Sequence, residues 1–86
     1  MNCDDVIFEI FNEIEKTLDL GYSRLYVNVD DLDNGYGFLR LLSRKDHDFL
    51  IVYERVLDLD LCFEILKLLE LSKYNIRDFT YFFDFK

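Results

Sequence analysis

The chain has no proline and no tryptophan, and only three glycines, two cysteines, one histidine and one methionine in 86 residues. Each shortage excludes something. Without proline there is no stiff linker, Pro-rich tail or hinge, and short connections inside one compact unit, residues 1–86, are expected. Gly21, Gly35 and Gly37 sit near turns and cannot form the Gly-rich loop that cradles phosphate. Cys3 and Cys62 lack CxxC spacing, which argues against a zinc ribbon, and a cytosolic environment keeps them reduced. Cys62 reads as a small core residue and Cys3 as an incidental thiol near a helix start. His47, between Asp46 and Asp48, has no second histidine or cysteine near it, so it reads as solvated rather than as a base or ligand. No apolar run approaches the roughly 20 residues of a membrane span. The start, Met1-Asn2-Cys3-Asp4-Asp5, is acidic where a signal peptide is basic. Together these predict a cytoplasmic protein with no membrane partner.

Negative charge and aromatics are abundant. The net charge is −8, and nine Phe with six Tyr supply a strong core for so short a chain. The charge is unevenly spread. Between Met1 and Asp33 there are nine carboxylates (Asp4, Asp5, Glu9, Glu13, Glu15, Asp19, Asp30, Asp31, Asp33) against Lys16 and Arg24. The stretch Asn34–Leu57 is slightly basic, and the remainder is mildly acidic. A one-sided acidic field attracts basic partners and repels nucleic acid and anionic membranes.

Periodicity gives the elements. Asp4–Leu20 reads as a helix, with Val6, Ile7, Ile10, Phe11, Ile14 and Leu18 on one arc, Asn2 as N-cap and Gly21 as the left-handed stop. Arg24–Asp30 alternates as a strand, Asn34-Gly35 marks a hairpin, and Tyr36–Arg44 returns. Lys45–Asp48 is a second turn and Phe49–Arg55 a third strand. Asp58–Ser72 is a second helix with Asp58 at its N-cap. Phe79, Tyr81, Phe83 and Phe85 alternate as a last strand with an aromatic inner face. The expected fold class is α+β: two helices packed on a mostly antiparallel four-stranded sheet, in the order α-β-β-β-α-β.

Motifs for chemistry are missing. Setting Gly35 at position 6 of a calcium loop puts Leu32 at position 3 and Leu41 at position 12, where oxygen ligands belong. Ser23, Ser43 and Ser72 lack a nucleophile-elbow context, and nothing singles out a working carboxylate pair. The expectation is a non-enzymatic protein, with no catalytic residue, cofactor or metal. The candidate partner-binding residues are Glu9, Glu13, Glu15 and Asp19 on the outer helix face, Asp30, Asp31 and Asp33 in the turn, and two aromatics. Phe8 interrupts the charged face, so it either is covered by the last strand or a loop, or anchors a partner as interface hot spots do. Tyr36, beside the acidic turn, is the second aromatic anchor.

A very small, proline-poor, acidic αβ chain without catalytic motifs resembles the phage-encoded inhibitors of bacterial defence, the anti-CRISPR and anti-restriction DNA mimics. The likeness lies in Met1-Asn2, the amphipathic Val6-to-Leu18 helix and the acidic hairpin through Asp33-Asn34-Gly35. The final segment Phe79–Phe85 departs from it. The resemblance implies an inhibitor in the host cytoplasm that blocks a basic nucleic-acid-binding site on a defence protein. Such a chain binds a basic protein and does not bind nucleic acid directly. The alternative is a small adaptor or homodimer built on the aromatic C-terminal strand.

Overall fold

The computed structural model describes the backbone of residues 2–74 and 76–83 and the side chains of residues 2–74. Helix α1, Cys3–Asp19, opens on Asn2, whose Oδ1 accepts the Asp5 N–H at 3.0 Å, and Asp4 and Asp5 complement the positive helix end. It ends where Gly21, at φ +90°, donates its N–H to the Leu18 carbonyl. Strands β1, Arg24–Asp31, β2, Tyr36–Lys45, and β3, Asp48–Asp58, form an antiparallel meander. In the β1–β2 turn Asn34 and Gly35 both have positive φ, and Tyr36 N–H closes on the Asp33 carbonyl, as an Asn-Gly hairpin turn requires. Helix α2, Leu59–Glu70, follows β3 without a loop, and β4, Ile76–Phe83, lies at the far edge in the order β3-β2-β1-β4.

The expected fold class needs correction. The antiparallel sheet has three strands, β1, β2 and β3, rather than four. The segment after α2 adds to β1 in parallel, with Val27 opposite Phe79 and Val29 opposite Tyr81. The cause is the intervening helix. In a meander β3 points the same way as β1, and α2 carries the chain back across the sheet, so the next strand starts at the end where β3 started. The expected inner face of Phe79, Tyr81, Phe83 and Phe85 concerns side chains outside the described residues.

Both helices cover one face of the sheet. Val6, Ile10 and Ile14 from α1 and Cys62, Ile65 and Leu69 from α2 close on Leu25, Val27, Val29, Leu39 and Leu41, all essentially solvent-free. Gly37 lets α2 come this close: a Cβ there would lie 2.9 Å from Leu59 Cδ1 and 3.1 Å from Cys62 Sγ. Val52 is a bulge where the β2–β3 register shifts, and it puts Tyr53 and Arg55 on the helix face. Among the described residues no helix lies over the opposite face of β1–β3. Among the described residues, no helix is long and apolar enough to cross a membrane.

Candidate protein-docking surface

The topology gathers three chain segments at one end of the molecule. The β1–β2 turn, the β3–α2 junction and the N-terminus of α1 meet there. Leu59 N–H donates to the Gly35 carbonyl at 2.8 Å, Asp58 pairs with Tyr36 across β2–β3, and one concavity is lined by Asn2, Cys3, Gly35, Asp58, Asp60 and Glu64. Asp4, Asp31, Asp33, Asp58, Asp60 and Glu64 therefore share this end. Among the described residues none of them has a cation within 4 Å. The Cys3 thiol registers the field: burial first, and then the nearby Glu64 and Asp4 carboxylates, push its pKa up. Burial, with Asp58 adding to it, raises Cys62 to about 11. Both thiols are thereby kept protonated at neutral pH, which removes them as nucleophiles.

Asp4 and Asp5 in the first turn of α1 and Asp60 in that of α2 also belong to a favourable charge arrangement, since carboxylates there oppose the positive helix end. That benefit applies to the first turn of each helix. It does not extend to Asp31 or Asp33, which sit in the hairpin turn. Asp31 Oδ1 accepts the Asp33 N–H at 2.9 Å and so shapes the loop.

Phe8 is 67% exposed, so no described element covers it, and the reading in which a strand or loop buries it is corrected. Its neighbours in a shallow concavity are Asp4, Asp5 and Glu9. It points away from the Val6–Ile10–Ile14 core stripe because it lies about half a turn from it on the 100° wheel. Tyr36 is 50% exposed at the acidic end.

The carboxylates expected on the helix face do not act as one free patch. Glu9 Oε2 accepts from Tyr53 Oη at 2.9 Å and pairs with Arg55 at 3.3 Å. Glu13 pairs with Lys16 at 3.3 Å. Glu15 pairs with Lys73 at 3.2 Å and accepts the Tyr74 hydroxyl, which together hold its carboxyl below the usual range. Asp19, at the C-terminal end of α1, is exposed and lies away from the turn. Asp30 is half-buried opposite Phe38 on the open sheet face, one residue before the acidic end begins. Of the expected residues, the structure brings together Asp31, Asp33 and Tyr36 at the turn end; Phe8 lies beside Glu9, Asp4 and Asp5 on α1, and Glu13, Glu15 and Asp19 lie elsewhere on that helix.

Asp58, Asp60 and Glu64 were missed. The signal was present in the order of elements: a meander returns the end of β3 to the start of β2, and a helix capped at Asp58 must then begin beside the Asn-Gly turn.

The remaining polar candidates have structural work. Ser43 Oγ is buried and donates to the Arg24 carbonyl at 2.9 Å. Ser72 Oγ donates to the Leu69 carbonyl and accepts the Tyr74 N–H. His47 is exposed in the β2–β3 turn. Among the described residues no group of three or more His, Cys, Asp or Glu is arranged to hold a metal ion. No protein-family model matches the chain, and comparison with curated proteins and with solved structures returns no match.

Proposed function

We propose that the protein is a non-enzymatic inhibitor that sets its acidic end into a basic, nucleic-acid-binding site of another protein, in the manner of the anti-CRISPR and anti-restriction DNA mimics it resembles. The observation that carries this reading is the convergence of carboxylates from three chain segments, without a described cation among them, with the exposed Phe8 beside Asp4 and Asp5 on α1. A groove that holds phosphate is lined with Lys and Arg, and duplex DNA offers it one negative charge per roughly 1.7 Å of axis. A dense carboxylate end competes for the same cations. The field accelerates encounter, and Phe8 supplies an apolar anchor ringed by acids. At net −8 the chain itself does not hold nucleic acid.

The test is retention of a partner from the native cellular background on the immobilised chain, identification by mass spectrometry, and competition with that partner's nucleic acid. The expected result is displacement of the nucleic acid. Replacing Asp31, Asp33, Asp58 and Asp60 together with Asn should slow association and flatten its salt dependence. A partner that binds no nucleic acid, or retention indifferent to both salt and the fourfold change, refutes the proposal.

A further inference from the structure

The sheet face turned away from the helices is unusually apolar for a face in water. Inter-strand register groups its side chains into rows: Phe49–Arg44–Arg24, Ile51–Leu42–Tyr26, Glu54–Arg40–Asn28 and Val56–Phe38–Asp30. Phe49 is 62%, Ile51 53% and Val56 55% exposed. An antiparallel sheet with a solvated face normally alternates apolar-in and polar-out. Here both faces carry large apolar groups, and contiguous exposed apolar surface marks an interaction site.

We propose that this face seats a second copy of the chain, packed face to face about a two-fold axis that lies in the interface and runs across the strands. Such an axis keeps each strand over its own counterpart and reverses its direction. The first row then meets the fourth, and the second meets the third. Phe49 falls on Val56 of the other copy, Arg44 on Phe38, and Arg24 on Asp30. Each of these is a favourable kind of pair.

The chemistry of the individual side chains supports this pairing. Arg24 and Asp30 have no ionic partner among the described residues of their own chain. Among the described residues the one ion pair inside the face, Arg40 Nε to Glu54 Oε2 at 3.3 Å, lies near the centre. The Arg40 guanidinium carbon sits 4.8 Å from the Phe38 ring centre, and that of Arg44 sits 5.1 Å from the Phe49 ring centre. Arginines stacked on aromatic rings in this way give a flat surface that a second sheet can approach.

The other two-fold arrangement, with the axis along the strands, would place the Arg24–Arg44 row on itself. Like charges facing each other exclude it. Charge also explains why this face and not another is chosen. Its three cations, Arg24, Arg40 and Arg44, and two anions, Glu54 and Asp30, make it close to neutral, whereas the helix layer and the turn end carry the chain's surplus negative charge. Two copies approaching by any acidic surface repel.

Size fits a weak, concentration-dependent dimer. Three strands about 4.8 Å apart and about 30 Å long give a face of about 430 Å², so the pair covers about 900 Å², in the range of transient interfaces. The arrangement leaves α1, Phe8 and most of the acidic end on the two outer sides of the dimer, so it stands independently of the inhibitor reading.

Sedimentation equilibrium of the full chain between about 1 µM and about 200 µM tests it. A monomer–dimer equilibrium is expected, and a monomer throughout that range overturns the proposal. Phe49→Lys with Val56→Lys alters two side chains already more than half exposed and sets like charges against each other across the axis, so it should give a monomer with an unchanged circular dichroism spectrum. A persisting dimer of that variant places the contact elsewhere and overturns the proposal. Arg24→Glu and Asp30→Lys should each weaken dimerisation by about tenfold, and the double variant should recover to within about threefold of the original. A double variant no tighter than the singles rules out this axis. Capture of single-stranded DNA by the face, with the chain monomeric, also overturns the proposal.

Discussion

Gly37→Ala isolates the contact that sets α2 against the sheet. Gly37 lies in β2 with no positive φ, so the substitution adds only a methyl group and imposes no backbone strain. That methyl carbon would sit 2.9 Å from Leu59 Cδ1, 3.1 Å from Cys62 Sγ and 3.2 Å from Val29 Cγ1. Three neighbours on two elements, α2 and β1, must give way. Overpacking of a filled core costs about 1–3 kcal/mol, while the lower chain entropy of unfolded alanine returns about 0.4–1 kcal/mol. The net loss is about 1–2 kcal/mol, and at about 4–8 °C per kcal/mol for a domain of this size the Tm falls by about 5–15 °C. Thermal unfolding followed by far-UV circular dichroism reads this directly. Gly35→Ala serves as the control, since its φ is +83° and nothing lies within 4 Å of its added Cβ. It loses about 1–2 kcal/mol through the left-handed backbone alone. Adding Leu59→Ala should recover part of the Gly37→Ala loss and none of the Gly35→Ala loss. A Gly37→Ala variant as stable as the parent, or one that Leu59→Ala does nothing to rescue, refutes the packing argument.

The amphipathic helix and the meander were legible because each has a strong period. Val6, Ile10 and Ile14 repeat at helical spacing, and Leu25, Val27 and Val29 alternate. The third strand runs longer than its expected span of Phe49–Arg55, because the Val52 bulge breaks the alternation that would have revealed Val56–Asp58 as strand. Direction is what periodicity cannot encode. A period-2 segment after α2 pairs equally well either way in pattern, and only the path of the preceding helix decides that it lies parallel to β1. The acidic site was half legible for a related reason. Nearness in sequence grouped Glu9, Glu13 and Glu15 with the turn, yet Glu13 is held by Lys16 on its own helix, and Glu9 and Glu15 are claimed by cations and phenols from β3 and the segment after α2. Those partners, Tyr53, Arg55, Lys73 and Tyr74, are remote in sequence. Phe8 was flagged by its place on the wheel, and its exposure required knowing that no described element packs over the outer face of α1.

Three further outcomes follow from named contacts. Phe8→Ser should change stability by no more than about 0.5 kcal/mol, as exposed positions do, while costing a bound partner about 2 kcal/mol or more if Phe8 is the anchor; chemical denaturation and titration calorimetry measure the two separately. Ser43→Ala leaves the Arg24 carbonyl without its side-chain donor in a buried setting, and should cost about 1 kcal/mol in urea unfolding. The last concerns acid. Glu15 is held below its ordinary value of 4.5, first by the Tyr74 hydroxyl and then by Lys73, so its ionised form is favoured in the folded chain. A lowered folded pKa means that the contribution is fully present above about 4.5 and is lost as pH falls through the folded value. Glu15→Gln should therefore be less stable than the parent at neutral pH, and the gap between the two should close on acidification below about 4.5. Both partners are exposed, so the gap is small and shrinks in high salt. Tyr74→Phe should reproduce most of it, because the hydroxyl is the larger cause. A gap that stays constant from neutral pH into acid would show that Glu15 acts through packing on Tyr74 rather than through its charge.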